Sequence, residues 1–385
     1  MKIAINAAFN AIGGAKMQLI NMAKLIPSSN YELDLIIYVN KHTYSLLKEE
    51  GDILENYKVV VCNIPSISTI FRYLWEQFVF PFLLLSKNID VLLCVSNTAP
   101  LYSKGKRIQW IQTMGPFDKE FYQYFNLANK IKLYLNKIII TASAKRSDAV
   151  IFESKFTNQL FINKYNIRPE RSHVINVGKD LFFYPYKSTM GNDYLNQYES
   201  YYPYALCVSH LYPYKNIERM LEAFRLALDH TGANLTLLIA GSKNYQSYTE
   251  KILTVINKLS LKKSVILLGS VSKKDLRDLY SKCEFLIFPS PFENFAYTLA
   301  EAMSCGVAIT CSNTTAMPET CQDAALYFNP YDIKDMSQKI RILISDKELR
   351  LSLNKKSIYR AKELPDFKEA TIEILDIIKS LSSQN

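Results

Sequence analysis

Short apolar runs rich in β-branched residues alternate along the chain with segments whose apolar residues recur at helical spacing. This alternation predicts an α/β fold with parallel, doubly wound sheets, because each crossover between parallel strands needs a helix that packs on a sheet face. The pattern restarts after a stretch rich in Tyr, Asn and Pro, which marks a second domain. The predicted strands span residues 2–6, 33–39, 58–62, 91–95, 107–111 and 149–152, then 205–209, 235–240, 265–268, 285–288 and 308–310.

We expect two domains, at residues 1–187 and 203–362, followed by a C-terminal helix at 363–385. The pattern from 334 to 381 is mostly helical, and Pro365 divides it because a proline inside a helix removes a backbone donor. The last helix could pack back on the first domain. Open α/β sheets bind ligands beyond the carboxyl ends of their strands, so two domains facing one another would form a site in a central cleft.

Composition narrows the class of protein. The chain has 385 residues, of which 49% are hydrophobic, so it can build two cores and is not disordered. Its seven cysteines form no C-x-x-C pair, so neither a zinc site nor a disulfide framework is indicated. The apolar run at 74–85 is shorter than the roughly 20 residues that span a bilayer. The first strand is too short for a signal peptide, and we expect a cytoplasmic protein.

The net charge of +10 indicates an anionic partner: nucleotide phosphates, an acidic membrane surface or nucleic acid. The segment 130–146 carries five cations and no acid, and it follows an aromatic run at 121–125. Two interpretations stay open: the segment rests peripherally on the anionic inner face of the cytoplasmic membrane, or it is a solvated helix face. No basic-aromatic nucleic-acid module occurs, so nucleic acid is not an expected partner. The five cations are Lys130, Lys132, Lys137, Lys145 and Arg146.

The strongest candidate chemistry follows the predicted strand at 285–288. A proline-bearing loop leads into a helix predicted to begin near Tyr297, and Glu293 and Glu301, with seven residues between them, bracket this junction. Backbone N–H groups at a helix N-terminus favour a phosphate, and the two carboxylates can accept hydrogen bonds from sugar or ribose hydroxyls. The residues between them that we assign to the donor side are Asn294, Phe295, Ala296, Tyr297 and Thr298.

The sequences Glu-Asn-Phe-Ala, Glu-Ala-Met-Ser-Cys-Gly and the later Met-Pro-Glu at 317–319 resemble those of the retaining glycosyltransferases of family 4. Members of this family have the GT-B fold, in which two Rossmann-like domains face a central cleft. The resemblance implies that Glu293 lies by the transferred sugar and that Glu301 holds the donor ribose. The family often has glycine where Asn294 and Ala296 stand, and these side chains would reshape the sugar pocket.

A second motif, at 208–217, resembles the family's loop in which an arginine and a lysine bind the donor pyrophosphate. Lys215 matches the lysine and could neutralise the leaving diphosphate, whereas the alternative is an exposed loop lysine. His210 stands in place of the arginine; it either donates to a phosphate when protonated or is a satisfied loop histidine. Val271 lies in a loop that resembles the one near the donor base, although a simple turn is an equal interpretation.

The first domain offers weaker signals. Gly13 and Gly14 follow the first strand and permit close approach of the backbone to a ligand; the resemblance places them opposite the donor phosphate or the acceptor. The family commonly has a histidine near Gln112 or Thr113, and either residue could replace it as a neutral hydrogen-bonding group, or the histidine is dispensable. Asp118 is a candidate contact for the acceptor hydroxyl.

No Asp-x-Asp motif occurs, so the resemblance implies neither a metal nor another cofactor. We expect a retaining transferase that moves a sugar from a nucleotide-diphosphate sugar to a hydroxyl of a glycan or lipid-linked glycan. Surface polysaccharide, such as lipopolysaccharide O-antigen or capsule, is the expected product. Two alternatives stay open: a catalytically inert partner subunit of the same fold, which the missing histidine and altered glycines would mark, and a nucleotide-sugar epimerase, which needs no acceptor.

Overall fold

The computed structural model describes residues 1–9, 14–26, 33–49, 55, 57–64, 69–185 and 198–383. The chain forms two compact units, Met1–Gly178 with Pro365–Asn385 and, separately, Lys179–Leu364. The chain leaves the first unit after Gly178 and returns to it at Pro365. The second unit is therefore inserted between two parts of the first.

The first unit is built on a parallel sheet of seven strands within the described residues. The strands are β1 Lys2–Ala7, β2 Asp34–Asn40, β3 Lys58–Cys62, β4 Val91–Cys94, β5 Lys106–Ile111, β6 Ala149–Phe152 and β7 Ser172–Val174. They pair in the order β3-β2-β1-β4-β5-β6-β7, so the sheet winds outward from β1 in both directions, as the alternating pattern predicts. The helices that precede β7 are α1 Gly14–Leu25, α2 Lys41–Glu49, α3 Thr69–Leu74, α4 Phe80–Leu85, α5 Leu127–Arg146 and α6 Lys155–Tyr165.

The second unit repeats this plan with a parallel sheet of six strands in its described part. The strands are β8 Tyr204–Val208, β9 Thr236–Ala240, β10 Val265–Gly269, β11 Phe285–Phe288, β12 Ile309–Ser312 and β13 Ala325–Phe328. They pair in the order β10-β9-β8-β11-β12-β13. The helices are α7 Ile217–Thr231, α8 Gln246–Lys258, α9 Lys273–Lys282, α10 Tyr297–Ser304, α11 Met317–Cys321, α12 Ile333–Ser345 and α13 Lys347–Glu363.

The structure adds three features that the sequence pattern does not predict. β7 and β13 are edge strands of three and four residues, and neither shows a continuous buried run. The helical pattern from 334 onward also breaks at Asp346, whose side chain accepts a hydrogen bond from the backbone N–H of Leu349 at 2.8 Å. This bond caps the start of α13, so the break comes from an N-cap rather than from a proline.

A π-helical turn, Trp75–Val79, joins α3 to α4. The backbone N–H of Phe80 donates to the carbonyl of Trp75, five residues earlier, and Pro81 follows in the first turn of α4. Because proline has no N–H to donate to the preceding turn, a widened turn accommodates it within a continuous helical segment. Within the described ranges, no helix combines the length and the apolarity that crossing a membrane requires.

The C-terminal helix, α14 Phe367–Ser382, belongs to the first unit, where it packs against α1, β4 and β5. A capping box starts it: the Asp366 side chain accepts from the backbone of Glu369, and the Glu369 carboxylate accepts from the backbone N–H of Asp366. Gly178 lies against this cap, since a Cβ at Gly178 would stand 2.1 Å from the Asp366 carbonyl carbon. The start of α14 and the end of the first unit's main segment therefore need a glycine where they meet.

Replacing Ile374 by alanine should destabilise the first unit by about 2–5 kcal/mol, because Ile374 is buried on the packed face of α14 and its removal leaves a cavity. Ile372→Ala on the exposed face of the same helix is the matched control and should change the free energy of unfolding by less than about 0.5 kcal/mol. Urea unfolding followed by circular dichroism measures both. Equal losses in the two variants would contradict the packing of α14.

Candidate active site

Two loops at the carboxyl edge of the second sheet bring together Lys215 and Glu293. β8 and β11 are neighbours in the sheet, and the segments that follow them lead into α7 and α10. Because the carboxyl ends of parallel strands lie at one edge, these two segments meet there. Lys215 Nζ lies 2.6 Å from Glu293 Oε1, and the two side chains are only 18% and 15% exposed. The structure thus joins the predicted catalytic lysine and glutamate in one ion pair.

The ion pair keeps Lys215 charged. Burial is the largest single influence and would lower the pKa of this lysine. The charge and hydrogen bond of Glu293, together with Tyr214 and Cys207, outweigh burial, so the pKa of Lys215 is raised above its ordinary value. A cation held in this way can attract an anionic group that approaches the edge of the sheet. Removing one member of a buried pair leaves the other uncompensated, which typically costs about 3–5 kcal/mol.

Asn216 fixes the lysine loop to its surroundings. It is buried and adopts a left-handed backbone conformation with φ of 62°, which asparagine tolerates better than most residues. Its Nδ2 donates to the carbonyl oxygens of Pro289, at 3.2 Å, and Pro330, at 2.7 Å. The first of these bonds ties the lysine loop to the glutamate loop. Sequence reasoning missed this role, because an asparagine directly before a helix suggests an N-cap, whereas Asn216 makes no side-chain cap hydrogen bond within the described residues.

Two threonines after β12 hold the glutamate loop from its other side. The backbone N–H of Glu293 donates to Thr315 Oγ1 at 3.2 Å, and Thr314 Oγ1 donates to the carbonyl of Pro291 at 2.9 Å. These bonds fix the backbone on both sides of Phe292 and hence the direction of the Glu293 side chain. They were also missed, since Thr-Thr after a strand carries no distinctive pattern.

His210 was interpreted either as a protonated donor to a phosphate or as a satisfied loop histidine, and its surroundings in the structure bear on this choice. The backbone N–H of Ser242 donates to His210 Nδ1 at 3.0 Å, so the ring proton of the neutral form sits on Nε2. Burial, with the nearby positive charge of Lys215, lowers the pKa of His210 below its ordinary value. At neutral pH this residue is therefore a neutral donor through Nε2–H rather than a cation.

Glu301 lies on α10 in a buried setting. The hydroxyl of Tyr280 donates to Glu301 Oε2 at 3.2 Å. Burial raises the pKa of Glu301 to about 7, and the bond from Tyr280 offsets part of this effect. Near neutral pH both the protonated and the ionised form of the Glu301 carboxyl group are populated, so it can either donate a hydrogen bond to a hydroxyl or accept one from it.

The residues between the two glutamates form the end of the loop and the start of α10, which begins at Tyr297 as predicted. Asn294, Phe295 and Ala296 are buried, and the rings of Phe295 and Tyr297 meet edge to face at 5.2 Å. Ala296 has φ of −94°, so alanine fits there without backbone strain although the family often has glycine. Tyr297 and Thr298 occupy the first turn of the helix, and Tyr280 contacts the Thr298 carbonyl at 3.4 Å.

In the turn between β10 and α9, Val271 precedes Ser272, whose hydroxyl caps α9 by accepting from the backbone of Asp275. This geometry is that of an ordinary N-cap and does not distinguish between the two interpretations of Val271. Within the described residues, no group of three or more His, Cys, Asp or Glu side chains is arranged to hold a metal ion.

In the first unit, Gln112 takes part in a network at the carboxyl edge of the sheet. Its Nε2 donates to Gln18 Oε1, and Gln18 Nε2 donates to Glu153 Oε1 at 2.8 Å. Its backbone N–H donates to Asn97 Oδ1 at 2.6 Å. The Gln112 amide nitrogen is therefore held by Gln18, whereas the amide oxygen is buried without a hydrogen-bond partner among the residues that the structure describes. Neighbouring Thr113 lies in the same loop, half-buried.

The other predicted residues of this unit are Asp118, Gly14 and Gly13. Asp118 Oδ1 accepts from the backbone N–H of Glu120 at 2.8 Å, which is a local turn contact. Gly14 is the first residue of α1. Gly13 lies outside the described residues.

Glu76 is a buried carboxyl group at this edge that the sequence analysis did not select. It lies in the π-helical turn and accepts from Asn6 Nδ2 at 3.0 Å and from Thr98 Oγ1 at 2.6 Å. Burial raises its pKa to about 7, although both hydrogen bonds work against this. The signal available in the sequence was a Glu-Gln pair inside an apolar run that also contains Pro81.

Comparison with known families covers both units. Residues 12–181 match the model described as glycosyltransferase family 4, and residues 196–360 match the model described as glycosyl transferases group 1. In Anabaena, HepE in complex with UDP has a structure that superimposes with a TM-score of 0.77 at 18% identity, covering 99% of this chain and 100% of that chain. At this identity the likeness shows the fold.

Curated relatives carry related names. O-antigen chain mannosyltransferase B of Escherichia coli is 30% identical over 179 residues, 46% of this chain and 46% of that protein. N-acetylgalactosamine-N,N'-diacetylbacillosaminyl-diphospho-undecaprenol 4-alpha-N-acetylgalactosaminyltransferase of Campylobacter jejuni is 23% identical over 370 residues, 93% of this chain and 94% of that protein. The chain spans only 26% to 46% of the length of four curated relatives that it matches.

The His210 geometry predicts a neutral ring with the proton on Nε2 at pH 7, because Nδ1 already accepts from Ser242. Nitrogen-15 NMR of labelled histidine should show this tautomer and a pKa below the ordinary value of 6.5. The His210→Gln variant assigns the resonance by its disappearance. A ring that is protonated at pH 7, or one that carries its proton on Nδ1, would contradict the assignment.

The buried Glu76 predicts a pH-dependent stability. A carboxyl group whose pKa rises from 4.5 to about 7 on folding stabilises the fold below the unfolded value, and this contribution is lost as the pH rises through about 7. As the pH rises from about 5 to about 8, the free energy of unfolding of Glu76→Gln should therefore increase by about 1–3 kcal/mol relative to that of the wild type. Denaturant unfolding across that range measures the gain. The exposed Glu49→Gln in α2 is the control and should track the wild type.

Proposed function

Since this chain belongs to the family 4-type glycosyltransferases with the GT-B fold, we propose that it moves a sugar from a nucleotide-diphosphate sugar to a hydroxyl of an acceptor glycan. The observation that carries the proposal is the Lys215–Glu293 ion pair at the carboxyl edge of the second sheet. It places a positive charge, which can stabilise a leaving diphosphate, beside a carboxylate, which can accept hydrogen bonds from the hydroxyls of a sugar.

The lysine serves the leaving group. When the bond between the anomeric carbon and the phosphate oxygen breaks, negative charge develops on the diphosphate, and a positioned cation stabilises that charge. The donor diphosphate carries more negative charge than one carboxylate, so it competes with Glu293 for Lys215. Because this cation is supplied by the chain, we propose that the reaction needs no metal ion.

Three groups would orient the donor. Glu293, once released from Lys215, can accept hydrogen bonds from hydroxyls of the transferred sugar, and Glu301 can do the same for the ribose. His210 would donate through Nε2–H to a phosphate oxygen, since its Nδ1 is already engaged. A neutral histidine supplies direction rather than charge, which leaves Lys215 as the cation among these residues.

We propose transfer with retention of the anomeric configuration. The acceptor hydroxyl attacks the anomeric carbon from the face that the diphosphate leaves. The bond from that carbon to the phosphate oxygen breaks as the bond to the acceptor oxygen forms. The acceptor proton passes to the leaving phosphate oxygen, so no separate base is required. Gln112, Thr113 and Asp118 stay candidates for the acceptor side.

The acceptor we propose is a glycan carried on a lipid, in the assembly of surface polysaccharide such as O-antigen. This rests on the names of the relatives, one an O-antigen chain mannosyltransferase and another acting on a diphospho-undecaprenol glycan. The UDP complex of the Anabaena neighbour supports a nucleoside diphosphate as the donor's leaving group.

Lys215→Ala and Glu293→Gln should each reduce transfer by about a hundredfold or more, because each removes a contact made at the reacting centre. Thermal stabilisation by UDP, GDP, ADP and dTDP first identifies the donor class, and radiolabelled donor with extracted lipid-linked acceptor then measures transfer. The matched control is Lys356→Ala. It removes a lysine whose Nζ lies 2.9 Å from Oδ2 of Asp323, a residue that precedes β13 in the chain. It should keep near wild-type turnover.

The same assay separates the alternatives. Nucleotide binding without transfer to any acceptor would indicate an inert subunit, and conversion of the donor in the absence of acceptor would indicate an epimerase. Unchanged turnover in Lys215→Ala would contradict the proposed role of the lysine. Transfer abolished by EDTA would contradict metal independence, and NMR of the product reports the anomeric configuration.

A further inference from the structure

The helical segment formed by α3, the π-helical turn and α4 is apolar on opposite sides. Tyr73, Phe80 and Leu84 are buried in the first unit. On the other side, Phe78 and Phe82 are 65% and 71% exposed. A helix that is apolar all round is normally buried on all sides, so solvent is an unusual environment for the outer side of this one.

Two polar residues of this segment, Glu76 and Gln77, are engaged on the inner side, where they anchor the helix to the first unit. Glu76 is buried between Asn6 and Thr98. Gln77 accepts from the backbone N–H of Leu101 at 2.7 Å and donates to the carbonyl of Ala99 at 3.3 Å. The hydrogen bonds of Glu76 and Gln77 therefore fix the helix in an orientation in which Phe78 and Phe82 are exposed.

A second exposed apolar stripe runs along α5. Leu127 is 74% exposed, and the stripe repeats at helical spacing. The hydroxyl of Tyr73 donates to Asn136 Oδ1, which joins α3 to α5, and Arg107 donates to the carbonyls of Pro100 and Arg146, which joins the loop at 99–104 to the end of α5. The apolar face defined by these elements consists of Leu74, Phe78, Phe82, Leu85, Tyr102, Leu127, Ile131, Tyr134, Leu135 and Ile138.

The segments that carry the apolar face are strongly basic. The segments 69–87, 99–104 and 127–146 contain eight cations and one acid, Glu76, which is buried. Eight minus one leaves seven of the chain's ten net positive charges in these three segments. An occupant of this face must therefore be apolar inside and anionic at its surface. The eight cations are Arg72, Lys87, Lys104, Lys130, Lys132, Lys137, Lys145 and Arg146.

We propose that the apolar face docks on a membrane of anionic phospholipid. Phe78, Phe82 and the α5 stripe would enter the boundary between headgroups and acyl chains, and the surrounding cations would contact lipid phosphates. A lipid surface offers both properties that the face requires. The residues of this face belong to the first unit, whereas Lys215 and Glu293 belong to the second, so docking and the transfer chemistry use different residues.

Sedimentation of the full chain with lipid vesicles tests the proposal. The wild type should bind vesicles of phosphatidylcholine mixed with phosphatidylglycerol, more weakly at high salt, and bind phosphatidylcholine alone poorly. The double variant Phe78→Asp with Phe82→Asp should bind about tenfold or more weakly, since two exposed rings are lost and two charges are added. Its circular dichroism spectrum and melting temperature should stay unchanged because both residues are exposed.

Matched controls use exposed residues of the second unit. Leu253→Asp with Tyr359→Asp adds the same charges at exposed apolar positions and should bind like the wild type. Lys132→Gln with Lys145→Gln should weaken binding to anionic vesicles by about fivefold per lysine, whereas Lys262→Gln with Lys263→Gln should not. Transfer to a water-soluble acceptor should be equal in the wild type and the Phe78/Phe82 variant, which separates docking from catalysis.

Three results would overturn the proposal. The first is that the wild type does not sediment with anionic vesicles. The second is equal binding by the Phe78/Phe82 variant and its control. The third is a dimer in solution that the Phe78/Phe82 variant converts to monomer without any vesicle binding, which would make the apolar face a contact between copies of this chain.

Discussion

A buried lysine must have a negative partner close by, and this requirement organises the carboxyl edge of the second sheet. Lys215 is held charged by Glu293, and each of the two loops that carry them is fixed by separate hydrogen bonds. Asn216 and Thr315 supply those bonds. If either loop shifted, the pair would separate and leave two uncompensated charges in a poorly hydrated place. The geometry of the site and the stability of its surroundings thus depend on one contact.

Much of the fold follows from the sequence because the central strands of each sheet are covered on both faces and read as continuous apolar runs. The two strands that were missed are at sheet edges. β7 is Ser-His-Val, with no side chain fully buried, and β13 has two of its four residues half-buried. Their pairing depends on the neighbouring strand rather than on their own composition. The break at Asp346 was missed for a related reason, since an N-cap inside a helical pattern is one polar residue among many.

The candidate site was predictable to a different degree in the two units. In the second unit, motif residues are adjacent in sequence to the strand ends, so Lys215 and Glu293 could be selected without a structure. In the first unit, the polar network joins residues far apart in sequence, such as Asn6, Glu76 and Thr98. Neither spacing nor composition connects them. Only the folded sheet shows that their side chains share one buried region.

The placement of α14 has a consequence for biosynthesis. The helix completes the first unit, yet it follows the whole of the second unit in the chain. On the ribosome, the second unit can therefore emerge in full while the surface that receives Ile374, Leu375 and Ile378 is still open. The unit that begins first is therefore completed last. The apolar surface that receives α14 needs protection from aggregation for the time that about 190 residues take to be translated.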